Sequence, residues 1–135
     1  LTWMTPDGIT SAVGVGARQV PLSEYVPNLT RIIDLLKETG ATLICATTTP
    51  IQEGTPWRSN EDALRYNEAA AGIMSDKHIR VNDLYSLAVD RLAELQPPQN
   101  CPFTEYGAEI LAAQHPGGIE ERLLDTPNEH TAEGQ

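Results

Sequence analysis

The sequence has 135 residues, which is enough for one domain with a hydrophobic core and too few for two. Nineteen acidic and nine basic side chains give a formal net charge of −10, which disfavours binding to nucleic acid or to an anionic membrane. No apolar run approaches the roughly 18 residues of a membrane-spanning helix. No signal peptide is visible at the start of the sequence. We expect a soluble protein with no nucleic acid and no membrane partner, and the sequence indicates no compartment.

The two cysteines, Cys45 and Cys101, have neither a C-x-x-C spacing nor histidine neighbours, which argues against a metal site. Cys45 lies in an apolar run, where a free cysteine usually behaves as a small core residue. We therefore predict a buried, unreactive thiol at Cys45.

The first 20 residues lack a helical or a strand period and contain Pro6 and several glycines, so we predict a poorly ordered lead-in over 1–20. A helix is predicted over 23–39, with Ser23 as the N-cap, Pro27 in the first turn and Gly40 closing the C-terminus. The apolar residues of this helix recur at helical spacing and should form one buried face: Leu29, Ile32, Ile33 and Leu36.

The apolar run 41–47 predicts a short parallel strand buried on both faces. Thr47, Thr48 and Thr49 then leave the C-terminal end of this strand. Their hydroxyls could line a substrate cleft, or threonine could simply suit the end of a strand. The second interpretation is favoured because β-branched residues are common in strands.

A second helix is expected after Ser59 or Asn60, either of which could be the N-cap, with Glu61 and Asp62 in its first turn. Its apolar face should comprise Ala63, Leu64, Tyr66, Ala70, Ala71, Ile73 and Met74. A short strand over 79–81 should follow, and then a helix over 84–95 capped by Asn82 or Asp83.

Pro97 and Pro98 end this helix, and a loop then leads into a last helix for which Thr104 is a suitable N-cap. After residue 114 we predict further helical turns over 119–124 and a polar, disordered tail over 125–135. The alternation of helices and strands predicts an α/β layered fold with parallel strands and right-handed crossovers. Two strands are too few for a stable parallel sheet, so the chain either lacks N-terminal strands or pairs with a partner through an exposed sheet edge.

The loop before the last helix carries a resemblance to a known family. Phe103, Thr104 and Gly107 match the last signature block of the SGNH hydrolases, the GDSL-like lipases and esterases, in which a catalytic His precedes Phe-Thr-x-x-Gly. Pro102 occupies the position of that His. Four shorter segments resemble the family in the same order along the chain: 19–22, 41–50, 65–67 and 81–85.

The resemblance covers residues 19–114, which are similar to the C-terminal two-thirds of an SGNH domain. It implies a three-layer flavodoxin-like SGNH-hydrolase fold with a parallel sheet whose N-terminal strands are missing, with the partial domain over 21–124. In the family a Ser attacks a carboxylic ester, a His accepts its proton, an Asp orients the His, and no metal or organic cofactor takes part. The implied substrate is a small-molecule or carbohydrate ester, for example an acetylated carbohydrate. In this family we would also expect Tyr66 and Asn67 to pack and to brace a loop.

The catalytic residues of the family are missing from this sequence. None of the five serines lies in a Gly-Asp-Ser or Gly-x-Ser-x-Gly context. His78, His115 and His130 are interpreted as surface or helix-end residues, and Asp83 as a cap. No triad can be assembled, so the candidate site comprises cleft residues only: Thr48, Thr49, Asn100, Phe103 and Thr104.

Two functions remain open. The chain is either an altered SGNH-type esterase that is inactive on its own, or a non-catalytic binding or scaffold domain, a pseudoenzyme that keeps the cleft without the chemistry.

Overall fold

The computed structural model describes residues 2–114, and every structural statement below concerns that part of the chain. The predictions for 119–124, for 125–135 and for His115 and His130 lie outside it. In chain order the elements are strands β1 (Trp3–Met4) and β2 (Ala17–Arg18), helix α1 (Leu22–Lys37), strand β3 (Ile44–Ala46), helix α2 (Asn60–Asp76), strand β4 (Arg80–Asn82), and helices α3 (Leu84–Ala88), α4 (Leu92–Leu95) and α5 (Glu105–Ala113).

The prediction of parallel strands joined through a helix is confirmed. Strands β3 and β4 pair in parallel, with Cys45 opposite Val81, and α2 connects them. The strands are shorter than expected, and the prediction that 41–47 is buried on both faces is wrong: Ile44 and Cys45 are half-buried and Ala46 is exposed. Each strand has only one partner strand among the described residues, so much of the apolar surface of β3 is not covered by a neighbouring strand. The Cys45 thiol is therefore only partly buried, although its burial raises its pKa above the ordinary value.

Helix α1 differs from its prediction at both ends. Its N-cap is Pro21, which makes no side-chain hydrogen bond, so the assignment of Ser23 as the cap is wrong. Because the helix begins at Leu22, Pro27 lies in the second turn rather than the first, and the carbonyl of Ser23 loses its usual i+4 donor. The helix ends at Lys37, and Gly40, with a φ of +75°, closes the turn that follows.

The apolar face predicted for α1 is only partly covered. Ile33 is buried, whereas Ile32 and Leu36 are 52% and 45% exposed. α1 packs against α2, and α2 presents a buried stripe comprising Ala63, Tyr66, Ala70 and Met74. Leu64 is exposed and Ala71 is also exposed, which corrects the prediction of their burial.

The predicted caps of the later helices are confirmed. Ser59 accepts a hydrogen bond from the Asp62 N–H, and the Asp83 side chain accepts one from the Ser86 N–H. The single helix predicted over 84–95 is instead divided into α3, a 3₁₀ turn (Val89–Arg91) and α4. Thr104 caps α5 by accepting from the Gly107 N–H at 3.0 Å.

The lead-in over 1–20 has more structure than predicted. β1 and β2 pair antiparallel, with Trp3 opposite Arg18, in a small sheet of their own. The indole N–H of Trp3 and the Nε–H of Arg18 both donate to Asp62 of α2, at 2.9 and 2.7 Å. Asp62 is 1% exposed, so these contacts tie the lead-in to the main body through a buried charge.

The fold is thus a mixed α/β arrangement with one parallel strand pair and one small antiparallel pair. Within residues 2–114, none of the helices is long and apolar enough to cross a membrane.

Candidate functional site

Two segments meet beyond the carboxyl end of β3 and form a cleft. The segment 47–50 leaves the strand, and the loop 97–104 before α5 lies beside it. The cleft between them has a volume of about 260 Å³ and is lined by Thr48, Thr49, Pro50, Ile51, Arg58 and Cys101. Open α/β folds bind ligands at this edge of the sheet, so the cleft is the candidate site.

The backbone of Thr48 is fixed by a side chain of α2. The Thr48 N–H donates to Asn67 Oδ1 and the Asn67 Nδ2 donates to the Thr48 carbonyl, both at 2.8 Å. One side-chain amide therefore satisfies both backbone polar groups of Thr48. The expectation that Asn67 braces a loop is confirmed, and the neighbouring Tyr66 is buried, with its hydroxyl donating to the Val20 carbonyl at 2.5 Å.

Two glutamines hold the other wall of the cleft. Gln52 accepts from the Gln99 N–H at 3.1 Å and donates to the Pro97 carbonyl at 3.2 Å. Gln96, which is 3% exposed, donates to the Cys101 carbonyl at 3.0 Å. The loop backbone is therefore held by three hydrogen bonds, two before Asn100 and one after it. Gln99 has a φ of +53°, which non-glycine residues seldom adopt, and these bonds hold it there.

Thr104 and Gly107 serve the packing of α5 rather than the cleft. The Thr104 N–H and hydroxyl both donate to the Leu95 carbonyl, at 2.9 and 3.1 Å, while the same hydroxyl caps α5. The proton of this hydroxyl and one of its two lone pairs are therefore used within the protein. Thr104, a predicted cleft residue, is not among the residues that line this cleft.

The other predicted site residues are divided between the cleft and its surroundings. Thr48 and Thr49 line the cleft, and Cys101 brings the loop to it. Asn100 is exposed, and its Oδ1 accepts from the Cys101 N–H at 3.0 Å, so it stabilises its own loop. Phe103 is half-buried, and Pro102 is exposed.

Polar groups also meet where β3 and β4 end. The Thr47 hydroxyl donates to Asp83 Oδ1 at 3.2 Å and accepts from the Tyr85 N–H at 2.9 Å. Hydrogen bonds from Ser86, the side chain first and then the backbone N–H, hold the pKa of Asp83 below its ordinary value. Asp83 is therefore ionised, and it caps α3 as predicted; its carboxylate accepts hydrogen bonds from Ser86 of α3 and from Thr47, which follows β3.

The described residues offer no pair of nucleophile and base at the cleft. The Ser11 hydroxyl donates to the Val15 carbonyl, and the Ser86 hydroxyl donates to Asp83 at 2.6 Å. His78, the one histidine between residues 2 and 114, lies two residues before β4, at the end of the parallel strand pair opposite to the cleft. A serine hydroxyl needs an imidazole within hydrogen-bond reach to become a nucleophile. The same part of the chain contains no cluster of three or more His, Cys, Asp or Glu side chains that could hold a metal ion.

Arg58 was not singled out by the sequence and is the one cation that lines the cleft. It is exposed and makes no ion pair with another described residue. It also borders a larger groove of about 740 Å³, which has an apolar lining that includes Val13, Ile51, Trp57, Val89 and Leu92. The two cavities share Ile51 and Arg58. Together they would suit a ligand with a polar head beside the threonines and an apolar body.

Sequence reasoning missed Arg58, Gln52 and Gln96 because each lies in a segment without a recognisable motif.

In comparisons with known proteins, no family model matches this chain and no curated protein matches its sequence.

Proposed function

We propose that this chain is part of an SGNH-type ester-hydrolase domain, with the three-layer flavodoxin-like fold of that family and its N-terminal strands missing, and that it does not hydrolyse esters on its own. One observation carries the proposal. The loop with the Phe-Thr-x-x-Gly frame lies beside the carboxyl end of β3, and its Cys101, next to position 102, lines the same cleft as Thr48 and Thr49.

The loop has the rigidity that a catalytic residue at position 102 would require. Gln96 fixes the carbonyl directly before Pro102, and Thr104 fixes the backbone two residues after it. A general base must be held within about 3 Å of the hydroxyl that it deprotonates. A side chain at this position would therefore project from a backbone that is held on both sides.

Pro102 supplies no proton acceptor, which is the reason for proposing that the chain is inactive alone. Loss of one triad member lowers turnover by a factor of roughly 10⁴ to 10⁶. Here both the nucleophile and the base are missing from the cleft. The substrate class of the proposed parent activity is a carboxylic ester, with an acetylated carbohydrate as one candidate, and no cofactor is required.

The test is a chimaera in which the Ser-bearing N-terminal segment of an active SGNH esterase precedes the 135-residue chain. Three forms are compared in p-nitrophenyl acetate hydrolysis: the unchanged chain, Pro102→His and, as the matched control, Pro102→Ala. We expect turnover that a serine-directed inhibitor abolishes in Pro102→His alone. Circular dichroism establishes that each form is folded. A folded Pro102→His chimaera without turnover would contradict the proposal.

The second candidate function is that of a non-catalytic binding domain. The observation in its favour is that the cleft has two hydroxyls, from Thr48 and Thr49, and the guanidinium of Arg58, which forms no ion pair within residues 2–114, and that these residues offer no acid–base pair there. The test is an NMR titration of the unmodified chain with an acetylated oligosaccharide and with its deacetylated form. Binding of the acetylated form alone, weakened by Arg58→Ala, would support this function, and no shifts at Thr48 or Thr49 would count against it.

A further inference from the structure

Trp57 lines the larger of the two cavities, the groove of about 740 Å³, in an unusual backbone conformation. Its φ of +62° lies in the left-handed region, which a bulky side chain seldom adopts and which costs free energy. Trp57 is nevertheless 48% exposed, so the burial of its indole is incomplete. Glycine or asparagine would adopt this conformation with less strain. The strained tryptophan is therefore better explained by what its exposed surface can bind.

The loop that carries Trp57 is held by its own hydrogen bonds. The Ile51 N–H donates to Asn60 Oδ1 at 3.0 Å, and the Thr55 N–H donates to the Gln52 carbonyl at 3.2 Å. The Trp57 carbonyl accepts a further hydrogen bond, at 3.1 Å, from the backbone of β1. A wall that is already in place loses little conformational freedom when a ligand binds to it.

Two side chains of opposite charge line the same groove. Glu53 and Arg58 are both exposed, and neither forms an ion pair with the other or with another residue between positions 2 and 114. The polar side chains of Gln52, Ser59 and Asn60 line the groove too, but they are used in hydrogen bonds within the protein. A charged ligand would be attracted by one of the two charges and repelled by the other. The groove therefore favours an uncharged ligand, and its apolar lining favours a largely apolar one.

We propose that the groove binds an uncharged aromatic molecule whose ring stacks on the indole of Trp57. Stacked aromatic rings attract each other by more than the area that they bury. The guanidinium of Arg58 is a second planar group in the groove that can stack on a ring. Val13, Val89 and Leu92 also line the groove and supply apolar contacts.

The groove and the smaller cleft are continuous, because Ile51 and Arg58 line both of them. Binding in the groove does not require the hydrolase function, since it depends only on the exposure, backbone angle and charges of the groove residues. If both proposals hold, the groove receives the aromatic part of a carboxylic ester. The ester group would then lie beside Thr48 and Thr49 in the cleft.

The test is an NMR titration of the unmodified 135-residue chain with benzyl alcohol and with cyclohexylmethanol. The two alcohols differ only in the ring, and the saturated ring is the more apolar but cannot stack. We expect shifts of the Trp57 indole N–H and of the backbone amides of Val13, Val89 and Leu92. The Kd should be about two- to tenfold lower for benzyl alcohol. The amide of Ile33, in α1 and outside the groove lining, should not shift.

Benzylammonium and benzoate test the preference for an uncharged ligand. Each carries the same ring together with one charge, which either Arg58 or Glu53 repels. Both ions should therefore bind more weakly than benzyl alcohol. Tighter binding of either ion would show that one charge of the groove dominates and that the ligand is an ion.

Trp57→Leu and Tyr106→Leu are matched variants. Trp57→Leu keeps an apolar side chain but removes the stacking surface, so the preference for benzyl alcohol over cyclohexylmethanol should disappear. Tyr106, an aromatic residue of α5 that is 47% exposed, does not line the groove, so Tyr106→Leu should leave both affinities unchanged. Trp57→Asn is a further variant that suits the left-handed conformation, and it should abolish the preference as well. Circular dichroism establishes that each variant is folded.

Three further results would overturn the proposal. The first is an unshifted Trp57 indole N–H at the solubility limit of benzyl alcohol. The second is equal or tighter binding of cyclohexylmethanol, which would show that apolar contact alone drives binding. The third is an unchanged preference for the aromatic ring in folded Trp57→Leu and Trp57→Asn. The hydrolase proposal is unaffected by these results, because it is tested separately by turnover of the chimaera.

Discussion

A Cβ atom on Gly107 would lie 2.3 Å from the carbonyl oxygen of Leu95. The same oxygen accepts hydrogen bonds from the N–H and the hydroxyl of Thr104, at 2.9 and 3.1 Å. One carbonyl at the end of α4 thus fixes the start of α5, and its contacts favour a hydroxyl side chain at position 104 and leave no room for a Cβ atom at position 107. The spacing of Thr104 and Gly107 therefore has a structural cause that is independent of catalysis.

Gly107→Ala should destabilise the protein by about 1–3 kcal/mol, because the new methyl group forces α5 away from a backbone atom that cannot yield like a side chain. The higher helix propensity of alanine opposes this by less than about 1 kcal/mol. Urea unfolding followed by circular dichroism measures the change.

Gly72→Ala is the matched control. Gly72 lies within α2, and a Cβ there would meet nothing within 4 Å. The substitution should stabilise the protein by about 0.5–1 kcal/mol. Similar effects at both positions would show that the contact with Leu95 does not constrain α5.

Asp62→Asn should destabilise the fold by about 3 kcal/mol, because a buried ion pair loses one charge and Arg18 is left without its partner. Asp62 Oδ1 lies 2.7 Å from Arg18 Nε, and the Asp62 side chain is 2% exposed. Arg18 also stacks on Trp3, with 4.7 Å between the guanidinium carbon and the ring centroid. Tryptophan fluorescence should therefore report a loosened lead-in before global unfolding.

Asp34→Asn provides the comparison for this ion pair. Asp34 pairs with Lys77 at 2.5 Å, but its side chain is 51% exposed. An exposed pair of this kind contributes less than about 1 kcal/mol. If Asp34→Asn and Asp62→Asn cost the same, burial is not the reason for the contribution of Asp62.

Asp83→Asn should change the dependence of stability on pH. The pKa of Asp83 is lowered in the folded protein from its ordinary value of 3.8, chiefly by the hydrogen bond from the Ser86 side chain. A lowered folded-state pKa means that the ionised group stabilises the fold above pH 3.8, and that this contribution is lost as the pH falls through the folded-state value. Asparagine can still cap α3, so the variant should lack only the pH-dependent part of the contribution of Asp83 to stability.

Melting temperatures between about pH 7 and pH 3 test this expectation. At neutral pH the unmodified chain should melt at a higher temperature than Asp83→Asn. The difference between the two melting temperatures should decrease as the pH falls. A difference that stays constant over the whole range would mean that the carboxylate charge of Asp83 does not contribute.

Local rules predicted much of this fold. Ser59, Asp83 and Thr104 cap their helices as expected because a cap depends on residues within one turn of it. α1 shows the limit of such rules: Ser23, a plausible cap, lies inside the helix, which begins directly after Pro21. The break between α3 and α4 has no signal in the apolar spacing.

Contacts between distant segments could not be predicted. The contact of Trp3 and Arg18 with Asp62 joins residues more than forty positions apart, and neither partner marks it in the sequence. The cleft is similar: Thr48 and Thr49 follow from the strand before them, whereas Arg58 and Gln96 reach the site only through the tertiary fold. The burial of β3 was overestimated because an apolar run does not reveal how many strands cover it.

Asn67→Ala should loosen the wall of the cleft that Thr48 forms. It removes both hydrogen bonds to the backbone N–H and C=O of Thr48, each contributing about 1 kcal/mol, so the expected loss of stability is about 1–2 kcal/mol. Amide exchange at Thr48 should accelerate by more than the global loss explains, because that N–H then faces solvent. Asn28→Ala, at an exposed position of α1, should leave exchange at Thr48 unchanged. Unaltered exchange at Thr48 in Asn67→Ala would instead show that the strand end holds this loop without help from α2.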